Sequence, residues 1–153
     1  MDDSLERRAT GGCLCGAVRY RIDGPLRDVH NCHCSRCRRT HGHYGAYTAA
    51  PLAALALTAD GGLRWYAADG RERGFCAECG ASLFWRRAGS DQISVSAGSL
   101  DAPTGLRTAL HVYTCSGGDY YEITDELPQY RCGSEPEPNP SARHGMDRGR
   151  ELR

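Results

Sequence analysis

Alternation is the clearest signal along this chain. In "AVRYRID" (17–23), Val18, Tyr20 and Ile22 fall on one side and Arg19, Arg21 and Asp23 on the other. That period of two is what a strand with one buried face requires, and Gly24–Pro25 ends it. "HYGAYTAA" (43–50) predicts another short strand, and "LRWYAAD" (63–69) reads as a hairpin arm after the "DGG" turn at 60–62. "RERGFCAECGASLFWRR" (71–87) suggests two short arms joined by a cysteine knuckle. "QISVSAGSL" (92–100) alternates again, with Ile93, Val95 and Ala97 on one face, and "LRTALHVYTC" (106–115) and "YYEITDELPQY" (120–130) close the folded part. Helical periodicity is confined to a turn or two near Pro51–Leu57 and after Cys34. No repeat of solenoid length is present. The pattern predicts a mostly β fold of short strands.

The flanks lack such patterning. Residues 1–10 are expected to form a disordered leader and residues 132–153 a flexible tail, since "CGSEPEPNPSARHGMDRGRELR" carries hardly any large apolar side chain to offset ordering. The domain is then 11–131. A chain of 153 residues buries roughly 68–70% of its unfolded surface, enough for a core. The longest apolar run, "AAPLAALAL" (49–57), contains a proline and falls far short of the ~20 residues of a membrane span. "MDDSLERRAT" lacks the apolar region of a signal peptide. A cytoplasmic protein with no membrane partner is expected.

Formal net charge is zero, which gives no field to draw in nucleic acid, and no nucleic-acid partner is expected. Cysteine changes the picture. In a reduced compartment, nine cysteines need an explanation other than disulfides. Seven are clustered: Cys13 and Cys15, then Cys32, Cys34 and Cys37, then Cys76 and Cys79. Cys115 reads as a small core residue and Cys132 as a bystander in the tail.

Pairs spaced C-x-C or C-x-x-C bring two thiolates to one ion from a single tight turn, and two pairs complete a tetrahedron. Cys13, Cys15, Cys76 and Cys79 would make such a closed, structural site. Cys32, Cys34 and Cys37 supply three thiolates without a fourth, the pattern of a reactive zinc site with an exchangeable position. A histidine could close that shell instead, with His41, His43, His30 and His33 all near in sequence. Cys34 and Cys37 could equally pair with Cys76 and Cys79 as a zinc ribbon; spacing leaves these alternatives open.

The ordered series "GGCLCGAVRY", "CHCSRCRR", "FCAECGASLFW" and "SVSAGSLD", followed by "ITDELPQY", resembles the glutathione-dependent formaldehyde-activating enzyme family, grouped with centromere-protein-V-like proteins. The resemblance runs from about Gly11 to Tyr130. It implies a β-tent fold of short coiled antiparallel sheets pinned by two zinc ions. It implies that Cys13 and Cys15 join Cys76 and Cys79 at a structural zinc, while Cys32, Cys34 and Cys37 hold a catalytic one. The implied activity is that of a carbon–sulfur lyase forming or splitting S-(hydroxymethyl)glutathione, with glutathione and formaldehyde as partners. "CSGGDYY" (115–121) departs from the tryptophan-containing version associated with that reaction, so the natural thiol and aldehyde stay open.

A zinc held by three thiolates suits a fourth sulfur better than water activation, and a bound thiolate can add to an aldehyde carbon. Proton transfer to the aldehyde oxygen then needs a donor. His33 is a candidate, although its default place is in solvent or capping a carbonyl; Tyr44, Tyr47 and His111 read first as packing residues. Arg36, Arg38 and Arg39 either grip a substrate carboxylate or form a solvated face. The rivals to an enzyme are a zinc-stabilised binding module and a redox or zinc-buffering protein.

Overall fold

A computed structural model describes residues 7–133 of the chain. In order these form β1 (Arg8–Gly12), β2 (Arg19–Asp23), β3 (Val29–Cys32), α1 (Ser35–His41), β4 (Gly45–Pro51), β5 (Leu55–Ala59), β6 (Leu63–Ala68), β7 (Arg71–Cys76), β8 (Ser82–Arg87), β9 (Gln92–Ser96), β10 (Thr108–Val112) and β11 (Gln129–Tyr130). The fold is mostly β. Two compact units emerge, one from the chain up to Asp28 with Tyr47–Leu106, the other from Val29–Ala46 with the chain from Arg107 onward. Among the described residues no helix is long and apolar enough to cross a membrane.

The first unit is antiparallel. β1, β2 and β5 form one sheet, and β4, β9, β8, β7 and β6 follow one another in a second array. The alternation of β2 is realised: Val18, Tyr20 and Ile22 are at most 1% exposed. They pack with Ala50, Cys76, Leu83, Phe84, Ile93 and Val95 in a single core. Gly11 lets β1 approach this core, because a Cβ there would collide with the Tyr20 ring and the Ser99 carbonyl. The β6–β7 hairpin turns on Asp69–Gly70, both at positive φ (52° and 69°), as a two-residue turn matched to strand twist requires. The "DGG" turn at 60–62 instead leads from β5, which pairs with β2, to β6, which pairs with β7. Near Pro51–Leu57 only Leu52–Ala54 makes a 3-10 turn before β5 begins, since Leu55 and the residues after it find a partner in β2.

Tyr20 makes the alkaline limb of stability predictable. Burial raises its phenol to about 12, against the lowering effect of its 2.6 Å hydrogen bond with Ser99 Oγ. A group whose folded pKa lies above its unfolded value stabilises fully below the unfolded value and loses that contribution as pH rises through the folded one. The wild type is expected to lose about 3 kcal/mol between roughly pH 10 and 12 from this residue. Tyr20→Phe should flatten that decline in denaturant titrations followed by circular dichroism.

The second unit differs from the antiparallel expectation. β10 pairs in parallel with both β3 and β11; the long connection over 113–128 lets the chain return in the same direction, which a tight hairpin cannot. The strand expected over 120–130 reduces to Gln129–Tyr130. α1 begins where Cys34, in extended conformation, accepts the Cys37 amide on its Sγ at 3.3 Å. It ends at Gly42, whose left-handed φ of 76° lets its N–H reach the Arg38 carbonyl.

The ends also need correction. Arg8–Thr10, expected within the disordered leader, make the first half of β1 and pair with Arg21–Asp23. Cys115 and Cys132 are joined in a disulfide with Cα atoms 5.6 Å apart. Cys132 is therefore not a bystander, because the backbone bond from Cys115 N to Arg131 O brings the two segments together. Residues 1–6 and the expected tail beyond 133 lie outside the described residues.

Candidate metal centres

Cys13 and Cys15 follow β1, Cys76 ends β7 and Cys79 follows it, all in the first unit. Their sulfurs lie within 4.8 Å of one another. Cys13 to Cys15 is 3.7 Å and Cys15 to Cys76 is 3.8 Å. Four thiolates at a tetrahedral Zn–S bond of about 2.3 Å must stand about 3.8 Å apart, so this donor set fits zinc. Local backbone builds the knuckle. Gly80, at φ 77°, returns its N–H to the Cys76 carbonyl at 2.7 Å. The Val18 amide points at Cys13 Sγ at 3.2 Å. The Cys79 thiol is lowered to about 6, first by the Ala81 amide and next by that of Cys15, which favours the thiolate a metal needs. Cys76 and Cys79 thus meet Cys13 and Cys15, not the ribbon partners Cys34 and Cys37.

The second unit holds the other cluster. Cys32 ends β3, Cys34 caps α1, and Cys37 is buried in the first turn of that helix. These three sulfurs also lie within 4.8 Å of one another, and no histidine nitrogen among the described residues joins the group. Cys34 is held far below the usual thiol range by hydrogen bonds from the thiols of Cys32 and Cys37 and from the amides of Cys37 and Arg36. Cys32, giving its proton toward Cys34 and Cys37, is pushed up. The trio concentrates negative charge and is compatible with a soft metal ion.

Of the histidines near it, His33 is neither in solvent nor capping a carbonyl. It is 1% exposed, and His111 is 3% exposed. His33 Nδ1 bonds the Tyr121 hydroxyl, His33 Nε2 stands 2.9 Å from His111 Nδ1, and His111 Nε2 lies 3.0 Å from both carboxylate oxygens of Asp125. Burial, then the neighbouring His111 and His43, lowers His33 to about 4, so the ring is neutral near pH 7. Tyr44 packs on His33 at 5.0 Å, and His43 binds the Tyr120 hydroxyl at 2.8 Å while packing on Tyr44 and Tyr121. Sequence reading found His33, Tyr44 and His111 but missed Tyr121 and Asp125. Their separation from His33 by some ninety residues leaves no spacing signal.

The remaining candidates divide. Tyr47 belongs to the first unit, where its hydroxyl accepts from Arg73 at 3.4 Å, and it is a packing residue there. Arg36 and Arg39 are exposed, whereas the Arg38 Nε is buried without a hydrogen-bond partner.

The family model of the glutathione-dependent formaldehyde-activating enzyme matches residues 8–116, a stretch holding all seven clustered cysteines. The chain belongs to this family. A structural-genomics crystal structure of a Rhodobacter sphaeroides protein is similar at 25% identity and a TM-score of 0.54, covering 65% of this chain and 97% of that one. No curated protein matches the chain. Within this formaldehyde-activating family member, Tyr121 and Asp125 lie beyond the stretch that the family model matches.

Proposed function

We propose that this protein is a zinc-dependent carbon–sulfur lyase that forms and splits a thiol–aldehyde adduct of the S-hydroxymethylglutathione kind. One zinc would be held by Cys13, Cys15, Cys76 and Cys79 as a structural pin of a β-tent scaffold, and a second by Cys32, Cys34 and Cys37 as the reaction centre. The observation that carries the reading is the three-sulfur cluster without an imidazole among its donors. It leaves the fourth place to a substrate sulfur. Bound there, zinc would supply a soft acceptor for that sulfur, keeping it a thiolate near neutral pH.

The chain's own groups do the rest. The trio's negative charge leaves the substrate sulfur electron-rich, able to attack an aldehyde carbon or depart from a hemithioacetal. Arg38, which follows Cys37 in the chain and has a buried Nε without a hydrogen-bond partner, would offer a donor to a substrate carboxylate. Family membership supports glutathione and formaldehyde as the substrates.

The test uses cobalt in place of zinc. Two cobalt ions per chain are expected, one with the charge-transfer intensity of four thiolates and one with that of three. Glutathione should raise the second to the level of the first. A second site insensitive to any added thiol would overturn the lyase reading and leave a metal-stabilised binding module.

A further inference from the structure

Residues 116–131 hold their place with little packing behind them. None of them is buried, and their one strand, Gln129–Tyr130, is two residues long. Yet this segment supplies partners to three histidines of the second unit. The Tyr120 hydroxyl pairs with His43 Nδ1 at 2.8 Å, the Tyr121 hydroxyl with His33, and the Asp125 carboxylate with His111. A stretch with no buried side chain gains little from apolar burial to offset the entropy of being ordered. Its ends are tied instead. The Cys115 N–H donates to the Arg131 carbonyl at 2.8 Å and the His111 N–H to the Pro128 carbonyl at 2.9 Å. The disulfide between Cys115 and Cys132 then closes the segment covalently across 17 positions.

The two sulfurs of that link are not alike. Cys132 is exposed, whereas Cys115 is half-buried with its Sγ 3.7 Å from the Ser116 hydroxyl. An incoming thiolate therefore reaches the Cys132 sulfur first and expels Cys115, whose thiolate can accept the Ser116 hydroxyl proton in a hydrogen bond. The other seven cysteines stand unlinked, and an exposed disulfide is of the kind that thiols open rather than the kind that resists them.

We propose that the Cys115–Cys132 disulfide is a clasp opened by small-molecule thiols, and that it sets how firmly residues 116–131 stay on His33, His43 and His111. The inference does not depend on the lyase reading. In the first step the attacking thiolate bonds to the Cys132 sulfur, the S–S bond breaks, and its electron pair leaves on Cys115. A second thiolate then attacks the small molecule's sulfur and frees Cys132. Two thiols become one small disulfide, and their protons end on Cys115 and Cys132. A small disulfide closes the clasp by the same steps reversed. Releasing a loop of this length shifts the balance toward its open form on the order of 100-fold. Tyr120, Tyr121 and Asp125 then leave their histidines as one piece.

Hydrogen exchange on the full-length, zinc-loaded protein tests this in buffers of oxidised or reduced glutathione, with alkylation and peptide mapping to report the state of each cysteine. In reduced glutathione Cys115 and Cys132 should become alkylable together. Amides of 116–131 should then exchange on the order of 100-fold faster, while those of β8 and β9 keep their rates. Cys132→Ser should exchange fast in both buffers and respond to neither. A phosphine reductant, which offers no sulfur to a zinc ion, should act on the wild type as reduced glutathione does. That arm separates the clasp from any thiol binding at Cys32, Cys34 and Cys37. A link that excess reduced glutathione leaves closed overturns the proposal. So does a wild type whose exchange is unchanged after both cysteines are freed, or a Cys132→Ser protein that still responds to reductant.

Discussion

Cys76→Ser is expected to abolish folding of the first unit and to remove one zinc per chain, measured by metal content and thermal melts. Structural zinc in small sites is worth about 10–16 kcal/mol of folding free energy, whereas a whole domain is stable by about 5–15 kcal/mol. Serine offers zinc a hard, protonated oxygen in place of a thiolate, so most of the first figure is lost. Cys76 is also a core residue with 0% exposure, and packing alone could account for part of the damage. Cys15 separates the two causes. It is exposed and contributes no side chain to the core, so Cys15→Ser costs no packing. An equally deep collapse of Cys15→Ser identifies the metal as the source. A Cys15→Ser protein that melts like the wild type would show that no ion pins this unit.

The cysteine pairs could be read from sequence because a metal knuckle is a local object. Cys76 and Cys79 need only a tight turn with Gly80 behind it, and the sequence states both. β2 was legible for a related reason: one face meets a core and the other meets water, so Val18, Tyr20 and Ile22 alternate with charged neighbours. The second unit hides more. The parallel partners β3 and β10 lie far apart in the chain, and a four-residue strand has too little pattern to announce what it pairs with. Nothing in "NCHCSRC" distinguishes a solvated His33 from a buried one. Its burial depends on His111 and Tyr121 arriving to satisfy both ring nitrogens, and that arrival is a tertiary event. The link between Cys115 and Cys132 escaped for the same reason, since the two join only after Arg131 has bonded back to Cys115.

Cys34→Ser should give the opposite result to Cys76→Ser: a folded protein that has lost its reaction. Cys34 does two separable jobs. Its Sγ caps α1 by accepting the Cys37 amide at 3.3 Å, and it supplies one of the three sulfurs of the trio. Serine is among the best N-cap residues, so the substitution keeps the cap. The same oxygen is a poor ligand for a soft ion and leaves only Cys32 and Cys37 as thiolates. Adduct cleavage is expected to fall by at least about 100-fold, with the loss of a correctly placed group typically costing that much, while the melting temperature moves by a few degrees. Cys34→Ala makes the separation sharper. It should lose the same activity and, in addition, about 1 kcal/mol of stability from the missing cap. A Cys34→Ser protein that unfolds as fully as Cys76→Ser would mean that the trio is a second structural pin, and the open place for substrate sulfur would have no support.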